Sequence, residues 1–106
     1  MTSMHALADL IEKGLNEPRV REGRVHFLRE AQDGSLFACA LGAALVGKFG
    51  VAETICRFIP ISQHYLFVAA SALEIGVPLA CRINGLHAGS NLPAAQIAMQ
   101  LREGIL

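Results

Sequence analysis

The cysteine and histidine at positions 39 and 26 are the residues in this sequence best suited to nucleophilic chemistry. A thiol in the first turn of a helix has its pKa lowered by the helix dipole, and Cys39 opens a run of small, helix-forming residues. His26 is the candidate base. If Asp33-Gly34 forms a two-residue turn, Leu28 lies opposite Cys39 and His26 is about 7–8 Å from the thiol, too far for a hydrogen bond.

Burial offers a different interpretation of Cys39. Free cysteines are among the most buried residues in proteins. Cys39 also shares a helical line of small residues with Ala43 and Gly47, which favours close contact with another backbone. We therefore expect Cys39 to be buried and unreactive, with a thiol enzyme built on Cys39 and His26 as an alternative.

Four arginines fall in one segment of the chain, at Arg19, Arg21, Arg24 and Arg29. Guanidinium groups suit phosphate or carboxylate, so this cluster is a candidate anion-binding patch. Glu17, Glu22 and Glu30 are interleaved with the arginines, which favours a solvated face whose charges pair with each other.

Metal and cofactor sites are not predicted. Neither Cys81 with His87 nor Cys56 with His64 has the spacing of a metal-ligand pair, and His5 stands alone. The sequence has no glycine-rich phosphate loop and no G-x-S-x-G motif. We expect each histidine to be a surface or partly buried polar residue.

The periodicity predicts one mainly α domain over residues 1–106, a compact bundle of about five helices. Met4 to Leu15 has amphipathic spacing, residues 38–50 form a helix of small residues that Gly50 ends, and Val51 to Phe58 is a short helix. A helix from Ser62 to Ile75 is apolar nearly all round and is expected to be central. Two further helices are expected over 79–86 and after residue 91. A short β-hairpin near residues 24–37 is also plausible.

Composition points to self-association. Charged residues make up 17% of the chain, against about 25% in an average domain. The run from Phe58 to Cys81 has Glu74 as its only charge, so we expect apolar surface to be covered in a homo-oligomer, most simply a two-fold dimer. A different protein partner or an apolar ligand would serve the same purpose.

Charge and cysteine content restrict the partners and the compartment. Nine basic residues balance nine acidic ones, which disfavours nucleic acid as a partner. The three cysteines contain no CxxC pair, so reduced thiols in the cytoplasm are expected. We expect no signal peptide and no membrane span, since the apolar run 36–47 is shorter than the roughly 20 residues needed.

Two pieces of the sequence resemble small bacterial helical proteins of unknown function. One is Cys39-Ala40-Leu41-Gly42-Ala43, and the other is Ile83-Asn84-Gly85 ahead of a helix that contains Ile97-Ala98 and Leu101. Those proteins carry a Cys-Ala-Leu-Gly-Ala helix and a later Asn-Asp element, where this chain has Asn84-Gly85. The resemblance implies a helical fold and implies no activity.

The segment from Ala72 to Pro78 resembles the helix-turn-helix of repressor-like proteins. In that motif an alanine stands four positions before the turn glycine, as Ala72 does before Gly76, and an apolar residue stands six positions after it, where this chain has Arg82. The last helix offers only Arg102 as a phosphate contact, whereas direct readout uses several polar side chains on one face.

These observations lead to three hypotheses of function. We expect a non-enzymatic, self-associating or protein-binding helical module. A DNA-binding regulator that uses residues 62–101 is the first alternative, and the thiol enzyme is the second.

Overall fold

The structure is a computed structural model that describes residues 2–23, 27–60 and 65–106. Within these residues it contains six α-helices, a π-helical turn and three short strands, which confirms the predicted mainly α fold with a small β element. In chain order the elements are α1 (Met4–Leu15), β1 (Val20–Glu22), β2 (Leu28–Glu30), β3 (Leu36–Ala38), α2 (Ala40–Phe49), α3 (Val51–Phe58), α4 (Tyr65–Leu73), α5 (Val77–Asn84), the π turn (Gly85–Gly89) and α6 (Ala94–Glu103).

Helix α2 occupies the centre of the fold, since every residue from Ala40 to Gly47 is buried. The sequence placed the helix over 62–75 at the centre, and that prediction was wrong for its described part. In α4, Ala69 and Leu73 are buried, whereas Phe67 is exposed. The small side chains of α2 let neighbours approach from every side, while the bulkier α4 keeps one face at the surface.

The contact between α1 and α2 is a close approach of two backbones. A Cβ atom added to Gly47 would lie 2.1 Å from the carbonyl oxygen of Leu10, and one added to Gly14 would lie 1.8 Å from that of Ala43. Both positions therefore exclude any side chain. The predicted close packing of the glycine-containing helix is confirmed, and Gly14 is its unpredicted counterpart on α1.

Gly42 of α2 packs against the chain at the start of β2 rather than against α1. A Cβ atom there would lie 2.5 Å from the carbonyl oxygen of Phe27, which comes directly before β2. The glycines of α2 thus admit a helix at one position and the sheet at another. This arrangement brings the sheet and α1 against the same central helix.

The three strands form one sheet in the order β1-β3-β2. β2 and β3 are antiparallel and form the predicted hairpin, while β1 pairs in parallel with β3 and was not predicted. The sequence gave no sign of the pairing between β1 and β3. β1 has only three residues, and its partner strand lies more than ten residues further along the chain.

The hairpin register differs from the predicted one by one residue. Leu28 pairs with Ala38 rather than Cys39, because the N–H of Ala31 bonds to the carbonyl of Ser35 and closes a three-residue loop. Gly34 takes a φ of 87° in this loop, as loops of this length require. A slip of one residue moves each side chain to the opposite face of the strand, so the prediction that Leu28 lies opposite Cys39 was wrong. The chain before β2 still contacts Cys39, whose N–H donates to the carbonyl of Phe27 at 3.1 Å.

Helices α4 and α5 meet at a sharp corner made by Glu74, Ile75 and Gly76. The segment Val77–Gly89 is bent by 118° from the axis of α4. Glu74 has a φ of 58°, whereas Gly76, the expected helix stop, has an ordinary φ of −73° and comes just before α5. The left-handed residue that ends α4 is therefore Glu74, and α5 begins at Val77 rather than Leu79.

Across the described ranges, no single helix is long and apolar enough to cross a bilayer, and only α4 combined with the strongly bent Val77–Gly89 segment meets that test of length and composition.

Candidate functional site

Cys39 stands at the N-cap of α2, in the interior of the protein. Its Sγ accepts a hydrogen bond from the N–H of Gly42 at 3.5 Å, and the residue is 4% exposed. Burial raises the pKa of the Cys39 thiol and outweighs the lowering effect of nearby N–H groups, Gly42 first among them. The predicted burial is confirmed, and the raised pKa counts against the alternative hypothesis of a thiol activated by the helix start. His26 lies outside the described residues.

Two arginines of the cluster, Arg19 and Arg21, lie near carboxylates of the hairpin. Arg19 donates to the carbonyl of Gly34 at 3.1 and 3.0 Å and lies 4.0 Å from Glu30. Arg21 lies 3.7 Å from Asp33. Arg29 is on β2 opposite Phe37, and Arg24 lies outside the described residues. Pairing of Arg19 and Arg21 leaves little unbalanced positive charge for an anion at these two positions.

A carboxylate–imidazole contact joins the sheet to α6, and the sequence gave no sign of it; the side chain of His87 is buried, and that of Glu22 is 28% exposed. His87 in the π turn is completely buried, which corrects the expected surface or partly buried position. Its Nε2 lies 2.7 Å from Oε2 of Glu22, and the N–H of Ala94 donates to the same oxygen at 3.0 Å. Glu22 therefore caps α6, whose own N-cap residue, Pro93, makes no side-chain bond.

The chemistry of this pair is limited by its surroundings. A carboxylate at Nε2 favours the tautomer in which Nε2 carries the proton, and Nδ1 then becomes an acceptor. That Nδ1 is buried without a hydrogen-bond partner among the described residues. Through its contacts with His87 and with the N–H of Ala94, Glu22 connects β1 to the π turn and to the start of α6.

Metal ligation has no candidate in the part of the chain that the structure describes, which contains no group of three or more His, Cys, Asp or Glu residues able to hold an ion. Cys56 and Cys81 are both exposed and free. His64, the histidine considered with Cys56, lies outside the described residues.

An open groove of about 370 Å³ lies between α3 and α4. We call it the α3–α4 groove; its lining is mainly apolar and aromatic, with one guanidinium, and consists of Arg57, Phe58, Phe67, Val68, Ser71 and Ala72. Phe67 is 59% exposed. The guanidinium of Arg57 stacks 5.1 Å from the ring of Phe58 and 4.5 Å from that of Phe49, so the apolar lining extends beneath a charged rim.

The α4–α5 corner has helix-turn-helix geometry in a register shifted by two residues from the predicted one. When Glu74 is taken as the left-handed turn residue, Ala70 stands four before it and Ala80 six after it, and both are buried. The bend of 118° falls within the range of about 90–120° that such motifs show. The exposed side of α5 presents Pro78, Cys81 and Arg82, so a single charged side chain is available for reading DNA.

Comparison of the chain with protein-family models, with curated proteins and with solved structures found no match.

Proposed function

We propose that this chain is a non-enzymatic, self-associating protein-interaction module whose docking surface is the α3–α4 groove. The observation that carries the proposal is the exposure of Phe67 beside the half-buried Val68 and Ala72 on an otherwise apolar helix. An aromatic side chain that is 59% exposed next to a groove is the kind of anchor that interfaces use.

The apolar composition of the chain supports self-association less than the location of its exposed apolar side chains does. The total accessible surface is 5592 Å², close to the roughly 5,700 Å² that a compact monomer of this size exposes. Small residues such as Ala43 and Ala44 in α2 account for much of the apolar content, and they are buried within the chain. The support therefore comes from where the remaining apolar surface lies.

Few large apolar side chains remain at the surface of the described ranges. They are Met4, Phe67, Met99 and Ile105. Met4 and Ile105 lie near the chain ends, and Met99 lies on α6. Phe67 alone among these four lines the α3–α4 groove, which makes this groove the favoured contact surface.

Sedimentation equilibrium of the full chain tests this proposal. We expect the wild type to exceed the chain mass of 11.3 kDa at micromolar concentration, and Phe67→Glu to return to that mass. Met99→Glu is the matched control, because Met99 is 54% exposed on another helix, and it should sediment as the wild type does. A wild type that stays at the chain mass at every concentration contradicts self-association, and equal behaviour of both variants contradicts the choice of surface.

The cytoplasm is the proposed compartment, because all three cysteines are free thiols. Catalysis by Cys39 has little support, since its thiol is buried and its pKa is raised. An anion-binding role for the arginine cluster is likewise weakened by the carboxylate partners of Arg19 and Arg21.

A DNA-binding regulator is the second candidate function, and the geometry of the α4–α5 corner favours it. The shifted register removes the conflict at Arg82, because the position that must be apolar is filled by Ala80. The zero net charge and the apolar exposed side of α5 count against it. Selection from random duplexes discriminates the two functions: we expect no consensus site, and a consensus that Arg82→Ala abolishes would replace the first proposal with the second.

A further inference from the structure

We infer that the occupant of the α3–α4 groove is a second copy of this chain, bound in a two-fold contact in which Glu53 of each copy pairs with Arg57 of the other. This inference rests on the proposed function, because it assigns the partner and the geometry of the same surface. Three observations support it: the balanced charges around the groove, the spacing of exposed residues on the outer face of α3, and the position of Arg57 on both surfaces.

The charges around the α3–α4 groove are balanced within the surface itself. Arg57 lies 3.7 Å from Glu53, and Lys48 lies 3.3 Å from Glu74. Lys48 also donates to the carbonyl of Ala72, a groove residue, and its ammonium lies 5.3 Å from the ring of Phe49, which Arg57 covers as well. Two cations and two anions therefore surround one apolar surface.

This balance favours a second copy over a strongly charged partner. In a two-fold contact the same surface faces itself, so each charge must find its opposite on that surface. A rim of one sign would repel its own copy and would instead suit a partner of the opposite sign. The whole chain also has zero net charge, so no long-range repulsion opposes the approach of two copies.

The outer face of α3 has the spacing that such a contact needs. Glu53, Cys56 and Arg57 lie three and four positions apart and are exposed, while Val51, Thr54 and Phe58 face inwards and are buried. When two copies of α3 cross a two-fold axis in opposite directions near residue 55, midway between the paired positions, Glu53 of one copy meets Arg57 of the other. The existing pair within each chain is then exchanged for two pairs between chains.

Arg57 makes the outer face of α3 and the groove one continuous surface. It belongs to the exposed face through its ion pair with Glu53, and it lines the groove together with Phe58 and Phe67. A copy docked on α3 therefore also covers the apolar groove, where the exposed ring of Phe67 is removed from water. Apolar burial supplies the affinity in this arrangement, and the charge pairs set the orientation.

Charge reversal of the full chain tests the geometry by sedimentation equilibrium. Glu53→Arg and Arg57→Glu each oppose like charges across the axis, so we expect the dimer dissociation constant of each to rise by about tenfold. An equimolar mixture of the two variants restores opposite charges in the mixed dimer and should recover wild-type affinity. Asp33→Arg is the matched control, because it reverses one member of another exposed pair with the same 3.7 Å separation and should change nothing.

The outcomes separate this inference from the function on which it rests. A wild type that dimerises through Phe67 while both charge variants retain its affinity overturns the two-fold arrangement and leaves the function standing. A monomeric wild type overturns both. Loss of affinity in each variant without recovery in the mixture also overturns the exchange of the Glu53–Arg57 pair.

Cross-linking at Cys56 gives a second measurement that does not depend on charge. A short bis-maleimide should join two wild-type chains, because Cys56 lies within one helical turn of both paired residues and is exposed. Cys56→Ser should abolish the covalent dimer and Cys81→Ser, the control at the other exposed cysteine, should not. A covalent dimer that requires Cys81 would place the contact elsewhere and overturn the inference.

Discussion

The α1–α2 contact and the α3–α4 groove are both built from apolar helices, and they differ in how closely those helices approach. At Gly47 the two backbones leave no room for a methyl group. Between α3 and α4, the rings of Phe58 and Phe67 hold open a groove of about 370 Å³. Small residues let the backbones of α1 and α2 touch inside the chain, whereas the groove between α3 and α4, lined by aromatic residues, stays open to solvent and is the surface proposed for a partner.

The largest expected effect is at the closed contact. Gly47→Leu forces a branched side chain against the carbonyl of Leu10, and we expect it to lower the free energy of unfolding by about 3 kcal/mol or more. Gly104→Ala, at the left-handed end of α6, should cost about 1 kcal/mol. Gly85→Ala is the control, because nothing lies within 4 Å of its added Cβ. Similar urea midpoints for all three variants would show that the α1–α2 approach is looser than described.

Cysteine labelling compares the two regions in one experiment. Cys39 belongs to the buried start of α2, and Cys56 belongs to the exposed face of α3. A small maleimide should react with Cys56 at least about 100-fold faster, because Cys39 reacts only when the core opens and its thiol pKa is raised by burial. Mass spectrometry after timed quenching, at a chain concentration low enough to favour the monomer, measures the two rates. Rapid labelling of Cys39 would restore the thiol-enzyme hypothesis.

The same contrast between buried and exposed contacts applies to polar groups. Glu22→Ala removes the oxygen that accepts hydrogen bonds from both His87 and the N–H of Ala94. Because these two groups are buried and would then lack a partner, we expect the free energy of unfolding to fall by about 2 kcal/mol. Glu22→Gln retains an acceptor oxygen and should lose less. Glu30→Ala, at an exposed position, should stay within about 0.5 kcal/mol of the wild type. Equal thermal midpoints for the Glu22→Ala and Glu30→Ala variants would contradict the structural role of the Glu22–His87 pair.

A smaller, pH-dependent effect is expected at the exposed hairpin. Hydrogen bonds from the hydroxyl and N–H of Ser35 hold the pKa of the Asp33 carboxyl below its ordinary value. A carboxyl with a lowered pKa stabilises the fold above its ordinary pKa, and this contribution disappears as the pH falls through the lowered value. Ser35→Ala should therefore reduce the urea midpoint slightly at about pH 7, and the difference from the wild type should shrink as the pH falls through the lowered pKa of Asp33. A difference independent of pH would assign the effect to packing alone.

The smallest expected change in stability is at the groove. Phe67→Ser removes a ring that is already mostly in water, so the free energy of unfolding measured on dilute protein should change by less than about 0.5 kcal/mol. A large loss would mean that Phe67 supports the fold of the single chain, and the distinction between a closed and an open interface would fail.

Sequence patterns predicted where the helices begin and end better than they predicted which elements pack against each helix. The stop at Gly50 and the short helix Val51–Phe58 follow from composition, and both are as expected. The prediction that α4 is central was wrong, because the apolar content of a helix does not show which of its faces other elements cover. The close approach at Gly47 could be predicted from spacing, whereas its counterpart Gly14 stands in an amphipathic helix where nothing marks it.

The remaining errors came from contacts that span the chain. A three-residue loop instead of a two-residue one changed the hairpin register, and β1 gained a partner that only the folded chain supplies. Glu74 holds the left-handed conformation at the end of α4, between the buried Leu73 and Ile75, whereas the sequence favours glycine for such a position. Glu22 and His87 could not be paired from sequence, since their contact depends on how the sheet meets α6.

The two outer strands of the sheet, β1 and β2, have a consequence for how copies of this chain avoid each other. Unpaired backbone groups along a strand can recruit a strand from another molecule and start aggregation. Each outer strand here is only three residues long and exposes two charged side chains, Arg21 and Glu22 on one and Arg29 and Glu30 on the other. Edge strands that are this short and this charged are a poor template for pairing with a strand of another chain. The two edges of the sheet therefore carry a low risk of starting aggregation.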